Sequence, residues 1–94
     1  MNKIEAQEIL EQELLHFRDK KYEELQNLIG SPHVIERQGA SGASYTIEIE
    51  IIWDNPKKTD LRVLGSIDDG KFLSSLRPLS SDFIMDPHGN FIGE

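Results

Sequence analysis

Side chains capable of chemistry gather near the C-terminal end of this sequence. Acidic and imidazole groups stand close together there, at Asp82, Asp86, His88 and Glu94. Carboxylates and imidazoles bind metal ions and also act as general acids and bases, provided that they converge on one point. A small-molecule or metal-dependent activity at this end of the chain is therefore one hypothesis for the function.

Other motifs that could support catalysis have simpler explanations. Asp68-Asp69-Gly70 predicts a hairpin turn, because nothing after Lys71 supplies the alternating oxygen ligands of a calcium loop. The glycines of segment 39–42 precede no Lys-Ser/Thr pair, so this segment is no phosphate loop. Three histidines have none of the short spacings of zinc motifs: His16, His33 and His88. We therefore expect no catalytic residue, no metal and no cofactor.

The closing sequence MDPHGNFIGE, residues 85–94, contains a recognisable turn. It resembles the last segment of the glyoxalase/extradiol dioxygenase superfamily, in which an Asp-Pro-x-Gly-Asn turn precedes a metal-binding glutamate. Glu94 stands one residue further from the turn than in that pattern, and the β-α-β-β-β module of the superfamily differs from the element order predicted below. Because Pro, Gly and Asn recur in turns for local backbone reasons, we interpret the match as a shared turn.

A longer resemblance involves three segments: GSIDDG (65–70), PLS (78–80) and DFIMDPHGNFIGE (82–94). Together with the upstream strand that ends in Trp53-Asp54, they are similar to the C-terminal half of a family of small bacterial proteins to which no function is assigned. The resemblance implies one compact domain that occurs alone, here residues 1–94. It implies no activity, cofactor or catalytic residue.

Size and charge narrow the classes of function. A chain of 94 residues is near the commonest domain size and is long enough for one hydrophobic core. Its net charge of −7 argues against nucleic acid as a partner, since such binding needs a basic patch, and would suit a basic protein. No apolar run approaches the ~20 residues of a membrane span, and the N-terminus does not resemble a signal peptide. The absence of cysteine fits a reducing compartment, so we expect a cytoplasmic protein without membrane contact.

The first thirty residues predict a helix that kinks or divides in two. Asn2 is a suitable N-cap, and Glu5 three residues later would complete a capping box. Apolar residues at helical spacing then form one stripe, from whose middle the Glu13 carboxylate is predicted to reach water. The stripe loses its phase across residues 19–21. It then resumes and ends at Gly30, a residue type suited to the position past a helix end.

Four strands are predicted after the helices: His33–Gln38, Ser44–Trp53, Leu61–Ile67 and Lys71–Leu76. The second is the clearest, because its side chains alternate between apolar and polar residues, as in a strand with one buried face. Short turns join the strands, which predicts an antiparallel meander in the order 1-2-3-4. The fold class is thus α+β: a kinked helix or two helices packed on a four-stranded antiparallel sheet, with a short tail. In that tail we expect a capped helical turn at residues 80–85 and a short returning strand at 91–92.

The turns also predict which residues face each other. Folding the 54–60 loop symmetrically gives these pairs: Trp53 with Leu61, Ile51 with Val63, and Ile49 with Gly65. A turn at Asp69-Gly70 gives these: Ile67 with Phe72, Gly65 with Ser74, and Val63 with Leu76. Both registers place the same apolar row on one side of the sheet, called the inner face below. The predicted core contains Ile9, Leu10, Phe17, Leu25, Ile47, Ile49, Ile51, Val63, Ile67, Phe72 and Leu76.

Gly65 and Ser74 are small residues on the inner face, and they allow two interpretations. Either a helix packs closely against the sheet there, or the sheet covers a ligand-binding hollow similar in idea to those of cystatin-like folds. We expect the closely packed helix.

The opposite side of the sheet, called the outer face below, is the candidate interaction site. Its residues are Glu48, Glu50, Ile52, Arg62, Leu64 and Leu73. Arg62 lies diagonal to Glu50, which predicts an ion pair between the strands, and an exposed apolar patch would mark an interface. We therefore expect a non-enzymatic binding or protein-interaction domain. Its partner would be a second copy of the chain, as a homodimer, or another protein, and a small acidic inhibitor of a basic toxin belongs to the same class.

Overall fold

The computed structural model describes residues 1–71 and 78–94, in which two helices precede four strands. These elements are α1 (Lys3–Arg18), α2 (Tyr22–Gln26), β1 (His33–Gln38), β2 (Ser44–Trp53), β3 (Leu61–Asp68) and β4 (Leu79–Met85). The strands form one antiparallel sheet in the order β1-β2-β3-β4. The predicted α+β class and strand order are therefore confirmed, although the fourth strand is not the segment that was predicted.

The helical region divides where its apolar stripe loses phase. Asn2 caps α1, since its Oδ1 atom accepts a hydrogen bond from the Glu5 N–H at 3.1 Å. Between α1 and α2 lies the predicted break at residues 19–21. The second helix ends at Gln26, four residues earlier than predicted, and turns follow up to Gly30. Gly30 has a positive φ of 81°, as expected for the glycine that ends this segment.

Glu13 lies inside the molecule rather than in water. Its side chain is 8% exposed, and its Oε1 atom lies 2.7 Å from Nη2 of Arg37, which reaches inward from β1. The prediction that this carboxylate reaches past the edge of the core is therefore wrong. A buried carboxylate needs a compensating charge, and the guanidinium supplies it.

The register between β2 and β3 agrees with the prediction from the turn. The structure pairs Trp53 with Leu61, Ile51 with Val63, and Ile49 with Gly65. Inner-face residues of both strands are buried, apart from the half-buried Trp53, which follows from the alternation of side chains along each strand. The strongest pattern in the sequence thus predicted both a strand and its pairing.

The strand next to β3 on its other side is Leu79–Met85, so the predicted helical turn at residues 80–85 is wrong. Ser80-Ser81-Asp82 can cap a helix locally, but pairing with β3 gives the backbone a full ladder and buries Phe83 and Met85. The inner-face partners of β3 are consequently Leu79 for Ile67, Ser81 for Gly65 and Phe83 for Val63. They replace the predicted partners Phe72, Ser74 and Leu76. The predicted strand Lys71–Leu76 lies, apart from Lys71, outside the described residues.

The C-terminal tail returns along the free edge of β4. Phe91 forms an antiparallel bridge with Met85, and the Ile92 N–H donates to the Ile84 carbonyl at 2.9 Å. Arg18 at the end of α1 holds this tail: its guanidinium carbon lies 4.7 Å from the ring centroids of both Phe83 and Phe91. The predicted return of residues 91–92 is confirmed as a single bridge.

The inner face packs against α1 at Gly65. A Cβ atom at this position would lie 2.8 Å from Leu10 Cδ1, 3.1 Å from Ile49 Cδ1 and 3.2 Å from Leu14 Cδ2. The helix therefore approaches the sheet as closely as predicted, and the space that a ligand-binding hollow would need above Gly65 is filled.

Most of the predicted core is buried, namely Leu10, Phe17, Leu25, Ile47, Ile49, Ile51, Val63 and Ile67. Ile9 is only partly buried, while Phe72 and Leu76 lie outside the described residues. The core also includes residues that the prediction omitted: Ala6, Leu14, Tyr45, Leu61, Phe83 and Met85.

Candidate functional site

The outer face contains five of the six predicted interaction residues, in the neighbouring strands β2 and β3. Glu48 and Glu50 are exposed on β2, and Ile52 beside them is half-buried. Arg62 and Leu64 follow at alternate positions of β3 and are also half-buried. The sixth predicted member, Leu73, lies outside the described residues.

Cross-strand pairs arrange these side chains in three rows. The first row runs across the sheet through Ile52, Arg62 and Ile84. In the second row, Leu64 lies between Glu50 and Asp82. The third contains Glu48, Ser66 and Ser80. In the first two rows, apolar side chains therefore alternate with charged ones across the sheet.

Arg62 is held by two aspartates, which corrects the predicted pair with Glu50. Its Nε and Nη2 atoms both lie 2.7 Å from Oδ1 of Asp54, and its Nη1 atom donates to Oδ2 of Asp82. The hydrogen bond to Asp54, more than any other contact, raises the pKa of Arg62. Arg62 therefore contacts Asp54 and Asp82 and not Glu50.

Glu48 and Glu50 consequently have no ion-pair or hydrogen-bond partner among the residues that the structure describes. Both border a shallow groove of about 130 Å³ that includes Leu64, Ser66 and Ser80. Lysine and arginine side chains combine an apolar stem with a cationic end. A stem of this kind would lie on Leu64 while its charged end meets the two carboxylates.

The four residues of the C-terminal hypothesis have separate partners. Asp82 bonds to Arg62, whereas Glu94 Oε1 lies 2.7 Å from Nη1 of Arg18. Asp86 accepts the backbone N–H groups of His88 and Asn90, each at 2.9 Å. Within residues 1–71 and 78–94, no group of three or more His, Asp or Glu side chains is placed to hold a metal ion. The structure thus does not bring this set together.

The same contacts determine the acidity of two of these carboxyl groups. The hydrogen bond from the Asn90 N–H is the largest cause of the lowered pKa of Asp86, and the His88 N–H adds to it. The hydrogen bond from Arg18 is the largest cause of the lowered pKa of Glu94. Both groups are therefore held in the charged form, which suits structural contacts better than proton transfer at neutral pH.

A polar cluster that the sequence did not predict connects α1 to the loop between β1 and β2. Glu5 Oε1 accepts hydrogen bonds from Tyr45 Oη at 2.7 Å and Ser41 Oγ at 2.6 Å, while its Oε2 accepts the Ser41 N–H at 3.0 Å. The Glu5 side chain therefore does not complete the predicted capping box. Gly39 makes room for it, because a Cβ atom there would lie 2.3 Å from Glu5 Oε1.

The cluster is structural in character. The hydrogen bond from the Ser41 side chain, followed by that from Tyr45, lowers the pKa of Glu5. In turn, the hydrogen bond to Glu5 raises the pKa of Tyr45. A carboxylate with three donors and a lowered pKa is a poor base, whereas it fastens the loop well. Only the capping position of Glu5 was evident in the sequence, since Ser41 and Tyr45 are far away along the chain.

Comparison of the chain with protein-family models, with curated proteins and with solved structures returned no match. None of the helices in the described ranges is long and apolar enough to span a membrane.

Proposed function

We propose that this protein is a non-enzymatic protein-interaction domain whose outer face binds a basic partner protein. The observation that supports this proposal is that Glu48 and Glu50 have no partner among the described residues and lie beside the half-buried side chains of Ile52 and Leu64. Such carboxylates are available to a partner outside the chain. The neighbouring apolar groups add the area that a charged contact alone lacks.

The charge of the face supports a basic partner. Side chains alternate across a strand, so the residues in register with Glu48 and Glu50 share their face. Among the described strand residues, the carboxylates of this face are Glu36, Glu48, Glu50, Asp68 and Asp82, and its guanidinium is that of Arg62. Complementary charge increases the rate of association and selects among partners. An inhibitor of a basic toxin would use such a surface.

A homodimer that paired two outer faces would place these carboxylates against one another. Like charges across an interface oppose association. A second copy therefore fits this face less well than a basic protein does.

A defined basic peptide tests the proposal without knowledge of the natural partner. Nitrogen-15-labelled protein is titrated at low salt with a peptide of alternating lysine and valine, and amide chemical shifts are followed by NMR. We expect shift changes along β2 and β3, and about tenfold weaker binding by the double variant Glu48→Gln/Glu50→Gln.

The matched control is Glu8→Gln/Asp19→Asn, which removes the same charge from exposed positions in and after α1. Binding by this control should change much less. Equal losses in both double variants would mean that the peptide responds only to net charge, and the proposal would be wrong.

A further inference from the structure

The two edges of the sheet differ in how far the chain covers them. The tail covers the end of the β4 edge, where Phe91 bridges Met85 and the Ile92 N–H donates to the Ile84 carbonyl. Along the outer edge of β1, no described strand pairs with the backbone. An uncovered strand edge is a template for a further strand.

The hydrogen-bond pattern identifies the groups that this edge offers. The Gly39 N–H donates to the Ala43 carbonyl at 2.8 Å, so Gly39 and Ala43 form a hydrogen-bonded pair. Bonded and non-bonded pairs alternate along antiparallel strands. From Gly39 backward, the N–H and C=O groups of Val34, Glu36 and Gln38 therefore point away from β2. Val34 is 64% exposed, which agrees with an open edge.

We propose that β1 of a second copy of this chain pairs antiparallel with this edge, so that two sheets become one. In a two-fold symmetric pair, the outward-pointing N–H and C=O groups of one strand must bond to those of the other. This condition allows the two-fold axis to pass beside residue 35, 36 or 37. An axis beside Glu36 would place the two Glu36 carboxylates opposite each other. An axis beside Arg37 would do the same with two guanidinium groups, so repulsion between like charges makes both arrangements unfavourable.

An axis beside Ile35 avoids both conflicts. It sets Ile35 against Ile35 of the second copy, and Val34 against Glu36. His33 then meets Arg37, whose charge is balanced by Glu13 of the same copy. Ile35 is half-buried on the inner face and packs against the core, so its counterpart would cover the part that remains exposed. The charges of the edge thus select one register.

The contacts within one copy are compatible with this pairing. Arg37 Nη1 donates to the Glu36 carbonyl at 3.1 Å, and the second lone pair of that oxygen remains for the Val34 N–H of the second copy. Each copy uses the same edge of β1, so the pairing is isologous and produces a closed dimer rather than a growing fibre. The buried area is small, and we expect a weak dimer that forms at high protein concentration.

Cysteine cross-linking tests the register, because the chain has no cysteine of its own. In the proposed pair, the two Cα atoms of residue 35 are ~4.5 Å apart, within the ~4.4–6.8 Å that a disulfide spans. Under mild oxidation, Ile35→Cys should yield a covalent dimer on a non-reducing gel. The control Val34→Cys should yield at least about tenfold less, because its two Cα atoms are more than ~7 Å apart in this register. Val34 is the more exposed of the two, so random collision predicts the opposite ranking.

A second measurement does not depend on cysteine. Sedimentation velocity should detect dimers of the unchanged chain at about 1 mM, and Glu36→Pro should abolish them because it removes an outward N–H while leaving the bonds to β2. Glu36→Gln is the control and should still dimerise, with thermal unfolding as the check on folding of both variants.

A monomer at every concentration, or cross-linking of Val34→Cys equal to that of Ile35→Cys, would overturn the proposal. The inference does not rest on the outer-face proposal, and Glu48→Gln/Glu50→Gln should dimerise normally.

Discussion

Ile49 and Glu50 are adjacent in β2, yet they lie in opposite environments. Ile49 is fully buried on the inner face, and its Cδ1 atom borders the space beside Gly65. Glu50 is exposed on the outer face and has no partner among the described side chains. We therefore expect the inner face to determine whether the protein folds, and substitutions of exposed residues on the outer face to affect folding little. The four predictions below test this difference, beginning with the largest expected effect.

Removing the side chain that covers Gly65 should be the most damaging change. Leu10 is fully buried in α1, and Leu10→Ala would leave a cavity between the helix and the sheet. We expect the free energy of unfolding to fall by about 2–5 kcal/mol. Urea denaturation followed by the fluorescence of Trp53 would measure it. A loss below about 1 kcal/mol would show that the helix is not essential to the inner face.

Adding a single methyl group to the sheet should also destabilise the protein. In Gly65→Ala the new carbon would lie 2.8 Å from Leu10 Cδ1, so we expect a loss of ~1–3 kcal/mol in the free energy of unfolding. The control is Ser66→Ala on the outer face, where ~0.5 kcal/mol or less is expected. In a Leu10→Ala background the cost of Gly65→Ala should shrink, because the methyl group enters the vacated space. Equal costs in both backgrounds would contradict this account of the contact.

The Glu5 cluster at the end of the inner face should make stability depend on pH. The pKa of Glu5 is lower in the folded chain than in the unfolded one, so the unfolded chain binds more protons as the pH falls. The stabilisation by Glu5 is present above its ordinary pKa and disappears as the pH falls through the lowered value. We expect Glu5→Gln to be less stable than the unchanged chain at neutral pH, with the difference shrinking in acid. A stability difference between the two proteins that stays constant from neutral pH into acid would contradict the assignment of this pH dependence to Glu5.

Outer-face substitutions should have the smallest effect on stability. Glu50→Gln removes an exposed charge that has no partner in the described chain, so the free energy of unfolding should change by at most about 0.5 kcal/mol. Binding of the basic peptide should nevertheless weaken. The contrast is best seen by measuring unfolding and binding on the same sample. A large loss of stability would mean that Glu50 supports the fold, and the distinction between the faces would fail.

Patterns confined to one strand or one turn were enough to predict much of this fold. The alternation in Ser44–Trp53 predicted β2, and the 54–60 loop predicted its register with β3. Loss of helical phase likewise predicted the break before α2. In each case the information lies within a few residues of the structure that it specifies, so local backbone and burial preferences decide the outcome.

Features that depend on distant partners were not predictable in the same way. Leu79–Met85 contains a helix-capping signal, and only pairing with β3 makes it a strand. The partners of Arg62 depend on where β4 and the end of β2 place their aspartates. Within the candidate site, the alternation of side chains along β2 was enough to predict that Glu48 and Glu50 lie on the outer face. That neither has a partner among the described residues was not predictable: Arg62, the predicted partner of Glu50, bonds instead to Asp54 and Asp82.

The late position of β4 in the chain has a consequence for synthesis on the ribosome. α1 emerges before every strand, so its apolar stripe is available when β2 and β3 appear. The core nevertheless remains incomplete until Phe83 and Met85 have left the exit tunnel, and until then β3 lacks its second neighbour. Nascent chains stalled before residue 79 should therefore be sensitive to protease and prone to aggregation, whereas longer chains in which residues 79–94 have left the tunnel should resist both.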